Sequence, residues 1–195
     1  MRRYALLAAI TAAAALLAGC SITPQDFGVT AECRNTVRVD NPVLVVMAQA
    51  VPTAQLIPCI QSIPAGWTQS DLDAQNGRAF FVLASSIDGP RAVTVILTRD
   101  CDTSGASPVP TDEPGTRRYE RPTRIDRGYA GERYYVYPGG CTTYRFDLNG
   151  PTHAQPVNEV STAVGFVPRA AIQDKVRRDT DGRIDLDPSP TGIRR

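Results

Sequence analysis

The sequence predicts an α+β domain with an antiparallel sheet of about five strands, a short N-terminal helix, a C-terminal helix and two disulfides. Three observations support this prediction. Two strand–turn–strand patterns occupy the middle of the chain, a helical pattern flanks them on each side, and four cysteines follow the N-terminal leader. Strands and helices do not alternate regularly and no segment repeats, so a parallel sheet is not expected.

The first helix is predicted by Asn41-Pro42, followed by VLVVMAQAV. Asparagine is a favourable N-cap and proline suits the first helical position, while Pro52 ends the segment. The valines are β-branched, so a buried strand is the alternative, and we favour the helix. Two further prolines, Pro58 and Pro64, exclude a long helix after it and predict an irregular segment.

A first hairpin is predicted from strands at 78–84 and 92–98, joined by the turn at 86–90. Trp67, the single tryptophan, is expected to fill the core rather than to form a binding platform. Residues 102–116 are rich in Ser, Thr, Pro, Asp and Gly, which predicts a long loop.

A second hairpin is predicted at 132–137 and 141–148 around Pro-Gly-Gly. The alternation of apolar residues over 159–167 predicts one more strand, with Val160, Thr162, Val164 and Phe166 on one face. Pro168 then starts a helix over 169–178, because apolar residues recur there at helical spacing.

The N-terminus has the layout of an export signal. An arginine pair at 2–3 precedes an apolar stretch at 5–17, which is shorter than the about 20 residues that a membrane-spanning helix needs. The leader ends in Leu17-Ala18-Gly19-Cys20. This ending resembles the lipobox of bacterial lipoproteins, and the alternatives are plain secretion or an uncleaved signal anchor. The resemblance implies cleavage before Cys20, attachment of diacylglycerol and palmitate-type acyl chains, and a position on the extracytoplasmic face of the cell membrane.

The domain organisation follows from this leader. Residues 1–19 are the lipoprotein signal peptide, 20–30 a short polar tether, 31–178 a single extracytoplasmic domain, and 179–195 a polar tail predicted to be disordered. Beyond the lipobox, the chain resembles only uncharacterised actinobacterial lipoproteins and membrane-anchored proteins, and that resemblance implies no specific function.

Four cysteines remain when Cys20 is assigned to lipid: Cys33, Cys59, Cys101 and Cys141. An even number in an exported chain predicts two disulfides. Three connectivities are possible, and we favour sequential pairing, 33 with 59 and 101 with 141, because it needs the fewest chain crossings. Zinc sites need closely spaced ligand pairs, which these cysteines do not form, so no metal and no cofactor is expected.

One stretch, 117–145, is unusual in composition. It holds six tyrosines and seven arginines against three acidic residues, although the whole chain is nearly neutral, with 21 basic and 20 acidic residues. Arginine and tyrosine suit protein partners or anionic ligands. The candidate binding residues are Arg121, Arg124, Arg133, Tyr134 and Tyr137. The alternative is structural: tyrosines fill a half-buried sheet and arginines pair with acids at its edge.

The sequence offers little for catalysis. The single histidine, His153, lies among prolines, and the motifs GxSxG, HExxH, SxxK and GxxxxGK[ST] are absent. Bridged cysteines leave no thiolate nucleophile. We therefore expect a lipoprotein that is not an enzyme and that binds an envelope protein. The alternatives are an anionic-ligand or lipid-binding envelope protein and, less favoured, a hydrolase; nucleic acid is not an expected partner.

Overall fold

A computed structural model describes residues 30–33, 42–111, 113–150 and 154–187 of the chain. The described part contains three helices: α1 (Pro42–Ala50), α2 (Ala154–Ala163) and α3 (Arg169–Asp179). The described strands are β1 (Leu56–Ile60), β2 (Trp67–Gln75), β3 (Arg78–Ser85), β4 (Gly89–Thr98), β5 (Ser107–Val109), β6 (Arg117–Arg124), β7 (Tyr129–Tyr137), β8 (Gly140–Leu148) and β9 (Val164–Pro168).

The main sheet has seven strands in the order β2-β3-β4-β8-β7-β6-β5, and every neighbouring pair is antiparallel. Strands β1 and β9 form a separate antiparallel pair. The predicted β-rich α+β architecture is thus confirmed, but the number of about five strands is wrong. Strands β2, β5 and β6 were not predicted, because they lie at the sheet margins and carry polar, partly exposed side chains without a clear apolar alternation.

Two segments differ in type from the prediction. Residues 159–163 belong to α2, and the strand begins only at Val164. Val160 and Ala163 are both buried, and their spacing of three suits one helix face, so the short alternation was ambiguous. The segment expected to be irregular contains β1. Pro58 is accommodated there because β1 belongs to a two-stranded sheet and, among the described residues, pairs outside that sheet only at Ile60.

The core lies on one face of the main sheet, beneath α1, α2 and the β1–β9 pair. Phe81, Tyr144 and Phe146 are among its largest fully buried side chains. Trp67 is buried as predicted, and its Nε1 donates a hydrogen bond of 3.0 Å to Glu159 on α2. The predicted helices at both ends of the domain, α1 and α3, are also confirmed.

Both disulfides have the predicted pairing. The Cys33–Cys59 bond joins the chain at residue 33 to β1, across a Cα–Cα distance of 4.9 Å. The Cys101–Cys141 bond joins the loop after β4 to β8, across 5.8 Å. Each bond closes a loop of intermediate length, so it restricts the unfolded chain.

The first part of the predicted polar tail is folded. Residues 180–187 run back along α3, and Leu186 is buried. The Leu186 amide donates 2.9 Å to Gln173, and the Asp187 amide donates 3.0 Å to Gln49 on α1. One buried leucine among charged residues gives little sequence signal, which is why the predicted domain limit at 178 falls short.

Several predicted features lie outside the described residues: the signal peptide, Cys20, the tether up to residue 29, His153, and residues 188–195. Within the described ranges, every helix is too short or too polar to cross a bilayer.

Candidate binding surface

Side chains alternate between the two faces of the main sheet, and this alternation divides the arginine- and tyrosine-rich stretch. We call outer face the side of β6, β7 and β8 that carries Arg121, Glu132 and Arg145. These three residues lie directly opposite one another across the three strands. The inner face is the opposite side of the same strands, which packs against α2 and β9.

Glu132 is the centre of the outer face. Its carboxylate accepts hydrogen bonds from Arg121 Nη2 at 2.5 Å, from the Tyr134 hydroxyl at 2.6 Å and from Arg145 Nε at 3.1 Å. Burial opposes ionisation of Glu132, but the three donors outweigh burial and hold its pKa below the ordinary glutamate value. The group is therefore an ionised carboxylate shared by two guanidinium groups.

Tyr134 has little freedom to meet a ligand. Its side chain is 3% exposed, and burial together with the hydrogen bond to Glu132 raises its pKa to about 12. The phenol is thus neutral at physiological pH and serves as a donor within the cluster. It contributes to the outer face by holding Glu132 in place.

The loop between β4 and β5 passes over the outer face. Cys101 ties its beginning to β8, and the Cys101 sulfur lies 3.2 Å from the Thr143 hydroxyl. Further along, the carbonyl of Ser104 accepts a hydrogen bond of 2.7 Å from Arg121 Nη1. Arg121 is consequently a structural residue as well as a surface residue.

Arg124 lies where β6 ends. Its Nη2 donates 2.9 Å to Asp147 on β8, two strands away, and makes longer contacts to the Leu148 carbonyl and Asn149. Ala130 on β7 lies between Arg124 and Asp147 in the strand register, and its small side chain leaves room for the Arg124 side chain to cross β7. Arg124 therefore closes the end of the outer face.

The inner face carries a second cluster of the same design, with Glu120 at its centre. Glu120 accepts from Arg133 Nε at 2.7 Å and from Arg118 Nη2 at 2.5 Å. Burial again opposes ionisation, and the two arginines outweigh burial and lower the pKa of Glu120. Arg133 is 4% exposed, donates to Ser161 on α2, and lies over the Phe146 ring. This cluster joins the sheet to the helix.

The five predicted binding residues thus do not form one surface. Arg121, Arg124 and Tyr134 belong to the outer face, whereas Arg133 and Tyr137 are buried on the inner face. The Tyr137 hydroxyl lies 2.8 Å from that of Thr142, and burial raises its pKa.

Two further arginines, Arg117 and Arg145, are exposed on the outer face and were not among the predicted binding residues. Strict alternation along β8 could have identified Arg145, because its neighbours in sequence, Tyr144 and Phe146, are apolar and buried.

A groove of about 810 Å³ lies on another side of the domain, between the start of β1, α3 and the segment 185–187. Leu56, Pro138 and Pro168 are among its apolar lining residues. Arg169 lines it too, and its hydrogen-bond acceptors within the described ranges are neutral oxygens: the backbone carbonyls of Ala48 and Asp187 and the side-chain amide oxygen of Gln49. Burial lowers the pKa of Arg169, and the charge of Asp187 partly opposes that effect.

Within the ranges that the structure describes, no group of three or more His, Cys, Asp and Glu side chains is arranged to hold a metal ion. Comparison of the chain with protein-family models, with curated proteins and with solved structures found no match of any of the three kinds.

Proposed function

We propose that the mature chain is a lipid-anchored extracytoplasmic binding module, without catalytic activity, that binds a protein partner through the outer face of β6–β8. The lipobox ending in Cys20 supports the anchor. The two disulfides suit an oxidising compartment outside the cytoplasm. Among the described residues, no arrangement of side chains favours a catalytic role over binding.

One observation supports the outer face above the other surfaces. Arg145 is 61% exposed, yet Glu132, which is itself only 18% exposed, holds its guanidinium on a central strand. A guanidinium that is already positioned loses little conformational entropy when a partner binds. Arginines are also enriched among the residues that dominate protein–protein binding energies. Arg145 is therefore the residue on which binding would depend most.

The charge of the outer face indicates the chemistry of the partner. On the strands, four arginines (117, 121, 124 and 145) stand against two acidic residues, Glu132 and Asp147, and Asp102 of the crossing loop adds a third acidic residue near Arg121. The excess is positive and concentrated on a rigid sheet, which suits an acidic protein surface that offers carboxylates for bidentate pairing.

Photocrosslinking in the native envelope tests this proposal. A photoreactive amino acid in place of Arg117, with Arg145 intact, should capture a distinct partner, and the same substitution at Arg183, which is 77% exposed on the C-terminal segment, should not. Arg145→Glu should reduce capture from the probe at position 117 at least about tenfold, because charge reversal at a desolvated contact costs more than 1.4 kcal/mol. Equal capture from positions 117 and 183 would exclude the outer face.

The anchor has an independent test. Cells that express the chain should incorporate a labelled fatty acid into it, and Cys20→Ala should abolish the label. A label that persists in the Cys20→Ala variant would contradict lipidation at this cysteine. This result would leave the outer-face proposal untouched.

The groove beside Arg169 supports a second candidate function, the binding of an anionic ligand with an apolar chain. Its volume of about 810 Å³ lies within the usual range for small-molecule sites, and among the described residues Arg169 donates hydrogen bonds to neutral oxygens rather than to a carboxylate. Palmitate is a suitable probe. Ala170→Trp, at an exposed position in the groove, should abolish its binding, whereas Ala154→Trp, exposed on α2, should not. Equal binding to both variants would remove this candidate.

A further inference from the structure

The antiparallel topology gathers three connections at one end of the main sheet: the segments 61–66, 86–88 and 125–128. We call this end the turn end. The Ser86 amide donates 2.8 Å to the Gly66 carbonyl, so the first two segments touch. The chain that leaves β8 lies between the second and third, because Asn149 contacts both Asp88 and Arg124.

Each of these segments exposes an isoleucine. Ile63 is 40% exposed, Ile87 74% and Ile125 68%. The described part of the chain exposes five large apolar side chains, and the other two, Val46 and Ile184, lie on α1 and on the C-terminal segment. Single exposed apolar residues are ordinary, but three of these five lie at the same end of the main sheet. Turn residues are commonly Gly, Asn, Asp or Pro, so turn formation does not require isoleucine there.

The spacing of the isoleucines favours a bilayer over a protein as the partner of the turn end. Ile87 lies in the β3–β4 turn and Ile125 in the β6–β7 turn, so the two turn centres are three strand spacings apart, about 14 Å. The exposed isoleucine of each segment, which we call its tip, therefore projects separately from the others. A protein partner would favour one continuous apolar core, whereas separate tips suit the fluid interface of a bilayer.

Arginines bracket the most isolated tip. Arg124 and Arg127 flank Ile125 in the sequence, and guanidinium groups pair well with phosphate oxygens. Acidic residues balance them, since Asp126 lies in the same turn and Asp147 is paired with Arg124. The turn end therefore suits phospholipid headgroups in general, and strong selectivity for anionic lipids is not expected.

The chain enters the domain beside the turn end. Glu32 pairs with Ile60, the residue that precedes the first of the three segments, and the Ala31 amide donates 2.9 Å to Gln69 near the start of β2. Cys20 precedes Thr30 by ten residues, which span at most about 33–36 Å. An anchored domain thus has a high effective concentration at the bilayer, where weak contacts suffice.

We propose that Ile63, Ile87 and Ile125 insert into the interface of the phospholipid bilayer that anchors the chain, so that the turn end faces the membrane. The anchorage rests on the proposed function, whereas the row of isoleucines does not. This orientation leaves the outer face standing roughly perpendicular to the bilayer, because that face runs along the strands. The outer face is then accessible to a partner in the envelope.

Quenching by brominated lipids tests the orientation. The full chain, isolated with its acyl groups, is reconstituted in nanodiscs whose phosphatidylcholine and phosphatidylglycerol chains are brominated. Tryptophan replaces Ile87, Ile125 or, as the matched exposed control, Ile184. The signal of the native Trp67 is subtracted, and thermal melts confirm folding. Residues inserted to an interfacial depth of about 5–10 Å should be quenched roughly twofold more than the control.

The outcomes separate the two proposals. Co-migration with the discs together with stronger quenching at positions 87 and 125 supports docking. Co-migration with equal quenching at all three positions, or with none, overturns docking and leaves the anchor intact. Failure to co-migrate overturns the anchor and the docking of an anchored domain together. In the presence of docking, Ile63→Asp/Ile125→Asp should abolish the quenching at position 87 without affecting co-migration, because the remaining tip is too weakly held.

Discussion

The guanidinium of Arg121 on β6 donates a hydrogen bond of 2.7 Å to the carbonyl of Ser104, in the loop that crosses the outer face. The same side chain binds Glu132, which binds Arg145 in turn. Two arginines on one carboxylate therefore have different roles, because Arg121 also holds a loop while Arg145 faces solvent. The difference between them can be measured.

Arg121→Ala is expected to release the loop after β4. The amide hydrogens of Ser104 and Ala106, which bond within the loop, should exchange roughly tenfold faster, since a loop held by one contact fewer opens more often. Hydrogen exchange with mass spectrometry measures this. Arg145→Ala removes the other guanidinium that binds Glu132 without removing a contact to the loop, so its loop exchange should equal that of the wild type. Faster loop exchange in Arg145→Ala would contradict the division of roles.

Arg133→Met should cost about 3 kcal/mol of unfolding free energy. The substitution removes the buried positive charge that pairs with Glu120, and it removes the hydrogen bond to Ser161 on α2. Breaking a buried ion pair is strongly destabilising, because the remaining charge loses its partner. Urea denaturation measures the loss. Arg145→Met, at an exposed ion pair, should cost less than about 1 kcal/mol. Similar losses in the two variants would show that the inner cluster does not join the sheet to the helix.

Acid should destabilise the fold through Glu120 and Glu132. Their folded pKa values lie below the ordinary 4.5, so both stabilise the fold fully above pH 4.5 and lose that effect as the pH falls through their folded values. Denaturation at a series of pH values should show this loss, and Glu120→Gln/Glu132→Gln should flatten it. Burial raises the pKa of Glu113, so protonation of this group as the pH falls favours the folded state, in contrast to Glu120 and Glu132. Glu113→Gln should therefore leave the acid loss at least as steep.

Gly139→Ala should be much more destabilising than Gly77→Ala. Both glycines have positive φ, +70° and +87°, in hairpin turns at the same end of the sheet. A Cβ on Gly139 would lie 1.9 Å from the Thr53 carbonyl oxygen, whereas nothing lies within 4 Å of a Cβ on Gly77. Gly77→Ala should cost about 1–2 kcal/mol for the backbone alone, and Gly139→Ala clearly more. Equal melting temperatures of the two variants would exclude the close approach of the β7–β8 turn to Thr53.

Local patterns identified the elements whose signals are self-contained. Helix α1 begins at Pro42 and is followed by Pro52. The β7–β8 hairpin has a Pro-Gly-Gly turn, and α3 has apolar residues at helical spacing after Pro168. The disulfide pairing was also predicted correctly, because sequential pairing needs few crossings. The helices and the hairpin depend on neighbours in sequence, so the sequence displays them, whereas the disulfide pairing followed from the number and order of the cysteines.

The marginal strands were missed for a different reason. Strands β2 and β6 owe their conformation to the strands beside them, and their exposed polar side chains carry no alternation that the sequence could reveal. Helix α2 was misread because Val160, Thr162 and Val164, spaced by two, fit a strand, whereas Val160 and Val164, spaced by four, also fit a helix over so short a segment.

The sequence by itself determined the composition of the arginine- and tyrosine-rich stretch, the even set of four cysteines after Cys20, and the helices and hairpins with local signals. The tertiary structure alone decided that this stretch makes two clusters, one around Glu132 and one around Glu120, because strand register assigns alternate residues to opposite faces. It also alone brought Ile63, Ile87 and Ile125 to one end, since antiparallel pairing places connections distant in sequence side by side.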